Sequence, residues 1–319
     1  MNSIIIDGLS FSLPLFIIAI GGIYSERSGI TNLALEGLLG FGAFTGGLTA
    51  AIIYEFSSIG GTSSMYIALF AALMGGMIYA MLHALLCIKF KANQVISGVV
   101  INILATALTA FLTNQINSSL FGKASNRFVL EVSPRFSVPV LSEIPVLGAF
   151  FTSIYPFEIV ILIIALIMWY VLEKTPYGLR LRAAGDNPQA VDAAGVNVEM
   201  IRFSAVMVSG AMSGLGGMCF AYSISSNVSP SIFSGYGYLS IAAFIFGNWK
   251  IGPTFWACIL FGFARSAGYS LVNVLSLPSA YSDLVLTLPY IITVILLLFV
   301  SKANRAPKSL GEVYDKGKR

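Results

Sequence analysis

Charge is what this sequence lacks most. Only 10% of its 319 residues are charged, whereas a soluble domain carries roughly 25%. Apolar residues make up 57% of the chain, and the mean hydropathy is +0.85. The shortage of charge excludes a soluble fold and predicts an all-α, polytopic bundle of transmembrane helices. The apolar runs are continuous rather than alternating, which excludes a membrane β-barrel.

Residues that carry chemistry are also scarce. The single histidine, His83, lies in an apolar run and is interpreted as a packing residue rather than a ligand. The cysteines, Cys87, Cys219 and Cys258, also lie in apolar runs and lack the spacing of metal ligands. There is no G-x-x-x-x-G-K-[ST] phosphate loop and no set of nucleophile, base and acid. We therefore predict no enzyme, no cofactor and no metal in this chain, and the small net charge of +4 predicts no nucleic-acid partner.

Long apolar runs are what the sequence has in abundance. A membrane-spanning helix needs about 20 apolar residues. About nine runs, within a range of about 8–10, predict a transmembrane domain over residues 1–300. The run at 238–249 is short for a crossing and is expected to be tilted, a half helix or re-entrant. The predicted spans are residues 4–24, 33–56, 65–88, 95–113, 156–172, 203–224, 238–249, 253–274 and 284–300.

The positive charges predict how the chain crosses the membrane. Lys and Arg in short loops mark the cytoplasmic side, and they cluster at 89–91, at 174–182 and in a basic tail, residues 301–319. These clusters agree with one another if the long connection at 114–155 is extracytoplasmic. The N-terminus is then also outside, and the connection is expected to seat a binding protein, to form an outer gate or to be a folded cap without a partner.

One segment, residues 174–200, is polar between two apolar runs. Asp186 or Asn187 is placed to cap a short helix at 188–194, Pro188 suits its first position, and Gly195 suits its end. A helix of about two turns is not stable alone, and no nearby segment is expected to support it. We interpret it as a cytoplasmic contact helix pressed into a soluble partner, with Asp192 on its surface; the alternative is an ordered loop.

Polar side chains within the spans are candidates for a substrate pathway, because a polar group in lipid is costly unless it is paired or faces water. Amide and hydroxyl groups suit a neutral polar solute such as a nucleoside or a sugar. For Glu36, the alternative is an interfacial carboxylate that caps a helix. The candidate pathway residues are Asn32, Glu36, Asn93, Gln94, Ser97 and Asn102.

Arg265 is a cation deep in an apolar run. A pathway role, a salt bridge with Asp283, snorkelling and pairing with carbonyls at a helix end are all compatible with its position.

Three segments resemble a known family. SERSGITNLALEGLLGFGAF (25–44), KANQVISGVVINILATALT (91–109) and TPYGLRLRAAGDNPQAVDAAGVNV (175–198) are similar, in this order, to motifs of ABC importer permeases. The resemblance is to the simple-sugar and purine-nucleoside branch of the branched-chain amino acid and ribose type. The form N-L-A-L-E-G favours a nucleoside over ribose.

The resemblance implies a type II-like permease subunit in a bacterial inner membrane. Its partners would be cytoplasmic ABC ATPases that bind ATP and Mg²⁺, a second homologous permease that differs from this chain, and an extracytoplasmic substrate-binding lipoprotein. The family's coupling helix corresponds to residues 187–195, so Asp186, Asn187, Pro188, Asp192 and Gly195 are candidates for contact with the ATPase. The resemblance extends to five of the six polar candidates, which match motif residues along or near the translocation path: Asn32, Glu36, Asn93, Gln94 and Ser97.

Two functions of other classes remain open at this stage. An ion-coupled, stand-alone carrier would need several ionisable residues in its spans, and the spans offer mainly Glu36, His83 and Arg265. A membrane receptor or scaffold that does not transport is the second alternative. A simple-sugar permease is the alternative within the family.

Overall fold

A computed structural model describes residues 2–57, 59–131, 134–144, 147–230, 235–276, 278, 284, 287–288, 290–291 and 305–316. Within this part of the chain the fold is almost entirely helical. The helices are α1 Asn2–Arg27, α2 Leu35–Phe56, α3 Gly61–Ala84, α4 Gln94–Leu120, α5 Pro156–Lys174, α6 Pro176–Asp186, α7 Pro188–Ala193, α8 Val198–Phe220, α9 Tyr236–Phe246 and α10 Ile251–Val274. A π-helical turn extends α3 over Leu85–Lys89, and another extends α8 over Ala221–Ser225.

Seven of the described helices are long and apolar enough to cross a membrane, namely α1 to α5, α8 and α10. The prediction of a polytopic helical bundle is confirmed. The short run at 238–249 forms α9, a helix of 11 residues. At 1.5 Å per residue it covers about half of a ~30 Å hydrocarbon layer. The predicted last span, 284–300, lies for the most part outside the described residues, as does Asp283.

Close approach of small residues sets the centre of the bundle. Helix α8 packs against α1, α2 and α3. In its most apolar stretch 78% of the residues are buried, whereas the corresponding shares are 33% in α4 and 28% in α5. A Cβ on Gly42 would collide with the backbone of Gly214, and one on Gly76 would collide with the carbonyl oxygen of Gly210. Glycine therefore allows α2, α3 and α8 to pack backbone against backbone, as small residues do in membranes.

Polar contacts define two faces at opposite ends of the bundle. One face, called the coupling face below, holds the 174–200 segment. On this face Lys89 Nζ pairs with Glu199 Oε2 (2.6 Å), and Arg27 Nε donates to the Trp249 carbonyl (3.1 Å). The loop face holds the connection after α4, where Lys123 Nζ pairs with a carboxylate oxygen of Glu55 (3.0 Å). The three predicted clusters, at 89–91, at 174–182 and in the described part of the tail, thus lie on the same face.

The connection between α4 and α5 is shorter than expected. Helix α4 continues to Leu120, so the predicted start at residue 114 is too early. Strand β1, Phe128–Val129, pairs antiparallel with β2, Asn227–Val228, which follows α8. Short 3₁₀ turns at Leu141–Glu143 and Leu147–Phe151 complete the described part. Because β1 packs on α2, the connection is anchored to the bundle.

The glycine packing predicts a difference between two glycines of α2. We expect Gly42→Ala to destabilise the protein by about 1–3 kcal/mol, the usual cost of overpacking, because its Cβ has no room against Gly214. Gly40→Ala is the matched control, since no atom lies within 4 Å of its added Cβ. Thermal unfolding in detergent measures both. Equal melting temperatures would contradict this account of the packing.

Candidate functional site

The helical structure is interrupted between α1 and α2. Residues 28–34, called the break below, are not α-helical although they lie within the bundle. Asn32 is fully buried there; its Nδ2 donates to Ser209 Oγ (2.9 Å), and its Oδ1 accepts from the Ala34 N–H (3.0 Å). The Thr31 N–H donates to Gln94 Oε1 (2.7 Å). Asn32 and Gln94, two of the predicted pathway residues, thus accept N–H groups of the break that have no partner within a helix.

His83 and Ser97 support the same break from the side of α3 and α4. His83 Nδ1 lies 2.9 Å from Ser97 Oγ, and His83 Nε2 lies 3.3 Å from the Thr31 carbonyl oxygen. Both ring nitrogens therefore have hydrogen-bond partners, as the packing interpretation predicts. Among the described residues there is no cluster of three or more histidine, cysteine, aspartate or glutamate side chains that would hold a metal ion.

Asn102 on α4 joins three elements. Its Oδ1 accepts from the Gly37 N–H (2.7 Å), and its Nδ2 donates to the Leu33 carbonyl (2.8 Å) and to Tyr238 Oη (2.9 Å). The side chain is 7% exposed. One amide therefore ties α4 to the break, to the start of α2 and to α9.

Glu36 holds the start of the half helix α9. Its carboxylate accepts the N–H of Gly235 (2.5 Å) and of Gly237 (2.7 Å). These donors lie at a helix N-terminus and have no partner within the helix. Gly235 has φ +96°, and a Cβ on Gly237 would lie 2.5 Å from the Glu36 nitrogen. Glycine is thus required at both positions. Glu36 does cap a helix, but that helix is α9 rather than α2, in which Glu36 lies.

Arg265 on α10 lies on the other side of the α9 start. Its guanidinium carbon is 4.5 Å from the centre of the Phe11 ring and 4.9 Å from that of Tyr269, and Nη2 donates to Tyr236 Oη (3.3 Å). These are cation–π distances. Arg265 and Glu36 therefore flank the first residues of α9. The salt bridge predicted as an alternative involves Asp283, which lies outside the described residues.

A small cavity lies beside this cluster. It is lined by residues of α2 and α4, including Glu36, Gly40, Thr106 and Thr109, and its volume is about 30 Å³. Drug-sized ligands occupy pockets of roughly 300–1,000 Å³. This cavity is therefore too small to hold a ligand of that size in the described conformation.

Asn93 lies apart from the other five candidates. It is exposed at the coupling face and caps α4, because its Oδ1 accepts the N–H of Val95 (3.0 Å) and of Ile96 (3.1 Å). Asn32, Glu36, Gln94, Ser97 and Asn102 are brought together around the break and the start of α9. Asn93 instead fixes where α4 begins, as an N-cap asparagine does.

The polar segment folds into two helices rather than one. Helix α7 begins at Pro188, Asn187 Oδ1 accepts the Ala190 N–H (3.0 Å), and Gly195 has φ +79° just beyond the C-cap. Helix α6 precedes it and was not predicted. The available signal was Thr175 at the N-cap position followed by Pro176 at the first helical position. Contrary to expectation, α7 has support within the chain, since Pro188 and Val191 are buried against α6 and α8.

A groove between α6 and α7 opens to solvent on the coupling face. Its volume is about 580 Å³, and its lining is mainly apolar: Leu179, Arg180, Ala183, Asp186, Asn187, Ala190, Val191, Ala194 and Val196. Leu179 is 62% exposed. Burial raises the pKa of Tyr177, whose hydroxyl lies 2.9 Å from Ser204 Oγ on α8. This hydrogen bond joins α6 to α8.

The sequence interpretation missed two buried charged residues near the coupling face. Glu26 is 3% exposed and accepts from Trp249 Nε1 (2.6 Å), and Arg202 is 2% exposed. Glu26 belongs to the 25–44 motif, and Arg202 lies just after the polar 174–200 segment. A charged residue at the end of a long apolar run was the available signal.

Comparison with known proteins gives the family. Residues 4–297 match the model of the "Branched-chain amino acid transport system / permease component" family. The chain is 39% identical to the guanosine ABC transporter permease protein NupQ of Bacillus subtilis over 98% of this chain and 96% of NupQ. It is 37% identical to the nucleoside ABC transporter permease protein NupC of Lactococcus lactis over 100% of this chain and 98% of NupC.

A second Bacillus subtilis protein, the guanosine ABC transporter permease protein NupP, is 26% identical over 92% of this chain and 80% of NupP. No solved structure matches the chain. The family match covers nearly the whole sequence, and the described helices form the polytopic bundle that a permease requires. The chain therefore belongs to the branched-chain amino acid transport system permease family, as a multi-pass membrane permease subunit.

Proposed function

We propose that this chain is the membrane permease of an ATP-driven ABC importer for nucleosides, with purine nucleosides favoured. The observation that carries the proposal is the 39% and 37% identity, over nearly the whole chain, to permeases named for guanosine and for nucleosides. ATP and Mg²⁺ are bound by partner ATPase subunits in this proposal, and the chain itself supplies the pathway and the mechanical link.

The proposed pathway follows the seam between α2, α4 and α9. Asn32, Gln94 and Asn102 carry amide groups that hydrogen-bond within the protein in this conformation. Once the helices separate, these donors and acceptors match ribose hydroxyls and base edges. Phe11 and Tyr236 lie beside Arg265, and an aromatic ring provides a face on which a base stacks. The cluster combines apolar faces with a few convergent polar groups, the composition of a small-molecule site.

The proposed mechanism couples two parts that the fold keeps close together. At the end of α6, an added Cβ on Gly185 would collide with the Arg27 carbonyl and lie 3.2 Å from the Gly29 nitrogen. The coupling segment thus packs directly on the break below the pathway. ATPase closure moves α6 and α7, the break follows, and the contact between Glu36 and α9 changes as the bundle opens to one side.

There are three proposed partners. The ATPase docks on the α6–α7 groove, which Asp186 and Asn187 line, and Asp192 belongs to the same helix α7. A second, different permease pairs with this chain, a proposal supported by two distinct Bacillus subtilis relatives that are both named guanosine permeases. An extracytoplasmic lipoprotein delivers solute to the loop face, where a cleft of about 370 Å³ is lined by Tyr54, Lys123 and Arg127. The complex lies in a bacterial cell membrane.

Uptake into vesicles tests the function. We expect the complete complex, reconstituted with its ATPases, second permease and binding protein, to accumulate labelled guanosine only with ATP and Mg²⁺. Ribose and galactose in the same panel test the sugar alternative. Uptake without any ATPase that collapses with an uncoupler would identify an ion-coupled carrier instead, and no uptake of any solute would favour a receptor or scaffold.

The coupling segment is tested by Gly195→Pro. Proline fixes φ near −65° and removes an N–H, whereas Gly195 has φ +79° and its N–H donates to the Asp192 carbonyl (2.9 Å). We expect transport to fall at least about tenfold while the melting temperature of the bundle is kept, because the change distorts only the end of α7. Gly195→Asn is the control, since asparagine tolerates positive φ. Normal solute-driven transport by the proline variant would contradict the coupling role.

Glu36 is tested by Glu36→Gln. An amide has one acceptor oxygen, so one N–H of α9 loses its partner, and a hydrogen bond to a charged group contributes about 1.5–3 kcal/mol. We expect ATP-dependent uptake to fall about tenfold or more. Glu158→Gln is the matched control: Glu158 is also a buried carboxylate, but it accepts from Ser10 (2.8 Å), away from the pathway. If both variants transport at the wild-type rate, Glu36 has no part in translocation.

A further inference from the structure

The chain between residues 305 and 316 lies against the coupling face and contacts two functional segments at once. The Ser309 N–H donates to the Gly185 carbonyl at the end of α6 (2.8 Å), and the Gly311 N–H donates to the Gly29 carbonyl in the break (3.1 Å). Ser309 is 7% exposed, and Leu310 packs against the bundle core. This tail was predicted only as a basic cytoplasmic extension, but its described part is docked on the bundle.

Arg202 connects the same three segments from inside. It is the fifth residue of α8 and is 2% exposed. Its Nε donates to the Ser28 carbonyl (3.0 Å), Nη1 to the Glu312 carbonyl (3.0 Å), and Nη2 to the Ala184 carbonyl (3.5 Å). The acceptors belong to the break, the tail and α6. No other side chain of the described residues donates to all three.

A buried cation held by carbonyls is informative because a charge is costly to bury unless its donors are satisfied. A guanidinium has five N–H donors in a rigid fork, whereas a lysine ammonium is a single point on a flexible stem. Arg202 is therefore stable in this position only while Ser28, Ala184 and Glu312 stay together around it. The side chain favours the docked arrangement over any in which one of these segments has left.

Charged contacts at the surface of the tail contribute less. Lys91 Nζ lies 3.0 Å from Asp315 Oδ1, and Lys316 Nζ lies 3.7 Å from Asp192 Oδ1. The side chains of Lys91 and Lys316 are 43% and 78% exposed, and exposed ion pairs contribute little to stability. The tail is held by its backbone hydrogen bonds and by Arg202.

We propose that Arg202 and residues 305–316 form a strap that makes the coupling segment and the α1–α2 break move as one body. Arg202 is then a positioning residue for transport, acting through the break on Asn32 and Glu36. The inference rests on the proposed function, since it needs a partner that moves α6 and α7. Without the strap, α6 and α7 still follow the ATPases, but the break no longer follows α6 and α7.

The diagnostic quantity is the number of solute molecules transported per ATP hydrolysed by the complete reconstituted complex. Arg202→Lys keeps the charge, but one ammonium group does not reach three carbonyls in three directions. We expect the ratio to fall about tenfold, which corresponds to about 1.4 kcal/mol, while ATP hydrolysis persists. A merely structural role for Arg202 would lower transport and hydrolysis together and leave the ratio unchanged, and that result would overturn the proposal.

Truncation provides a second, independent variant. A chain that ends at residue 304 lacks the strap, and we expect the same fall in the ratio. A chain that ends at Lys316 keeps every contact described above and is the matched control, expected to transport as the full chain does. A wild-type ratio in the chain ending at 304 would overturn the strap even if guanosine transport is established.

A locked strap distinguishes a permanent link from one that must be released. Lys91→Cys with Asp315→Cys, joined by a cleavable bismaleimide, ties the tail to the bundle; Cys87, Cys219 and Cys258 are buried. We expect the cross-linked complex to keep its ratio within about twofold. Loss of transport on cross-linking and recovery on cleavage would overturn the proposal.

The strap and the proposed function fail in distinguishable ways. If the wild-type complex moves another solute with ATP but not guanosine, the substrate proposal is wrong, and the ratio measured with that solute still tests the strap. If the wild-type complex moves no solute with ATP, the proposed function is wrong and the strap, which needs that function, is overturned with it.

Discussion

Backbone N–H and C=O groups that lose their helical partners inside a bundle must find others, because lipid offers none. The chain meets this constraint at the break between α1 and α2 and again before α9. Asn32, Gln94 and Asn102 supply side-chain partners at the break, and Glu36 supplies them at α9. These contacts fix where the breaks occur and how the neighbouring helices lie.

The same constraint brings the proposed pathway and the coupling segment together. The break begins at Ser28, whose carbonyl accepts from Arg202, and ends beside Asn102, which also reaches α9. One irregular segment thus contacts α6 at one end and Asn102 at the other. In the proposed mechanism, a displacement of α6 therefore reaches the proposed pathway through a single stretch of chain, without passing through a long helix.

The sequence indicated which polar residues lie together in the fold better than it indicated what they contact. Polar groups in apolar runs are costly, and this argument identified Asn32, Glu36, Gln94, Ser97 and Asn102 without a structure; the structure places all five in one region. It did not show that Glu36 caps α9, 199 residues away along the chain, because no local pattern encodes a contact of that range. Arg202 was not among the candidates, since burial is not visible in a sequence.

Composition and local signals by themselves determined the membrane class, seven long described spans, the start of α7 at Pro188 and the stop at Gly195, because hydropathy, proline and glycine act through neighbours in the chain. Only the tertiary structure decided that α6 supports α7, that Gly42 meets Gly214, and that residues 305–316 are docked rather than free. These features depend on groups far apart in sequence satisfying one another's volume and hydrogen bonds, and that matching exists only once the helices have packed.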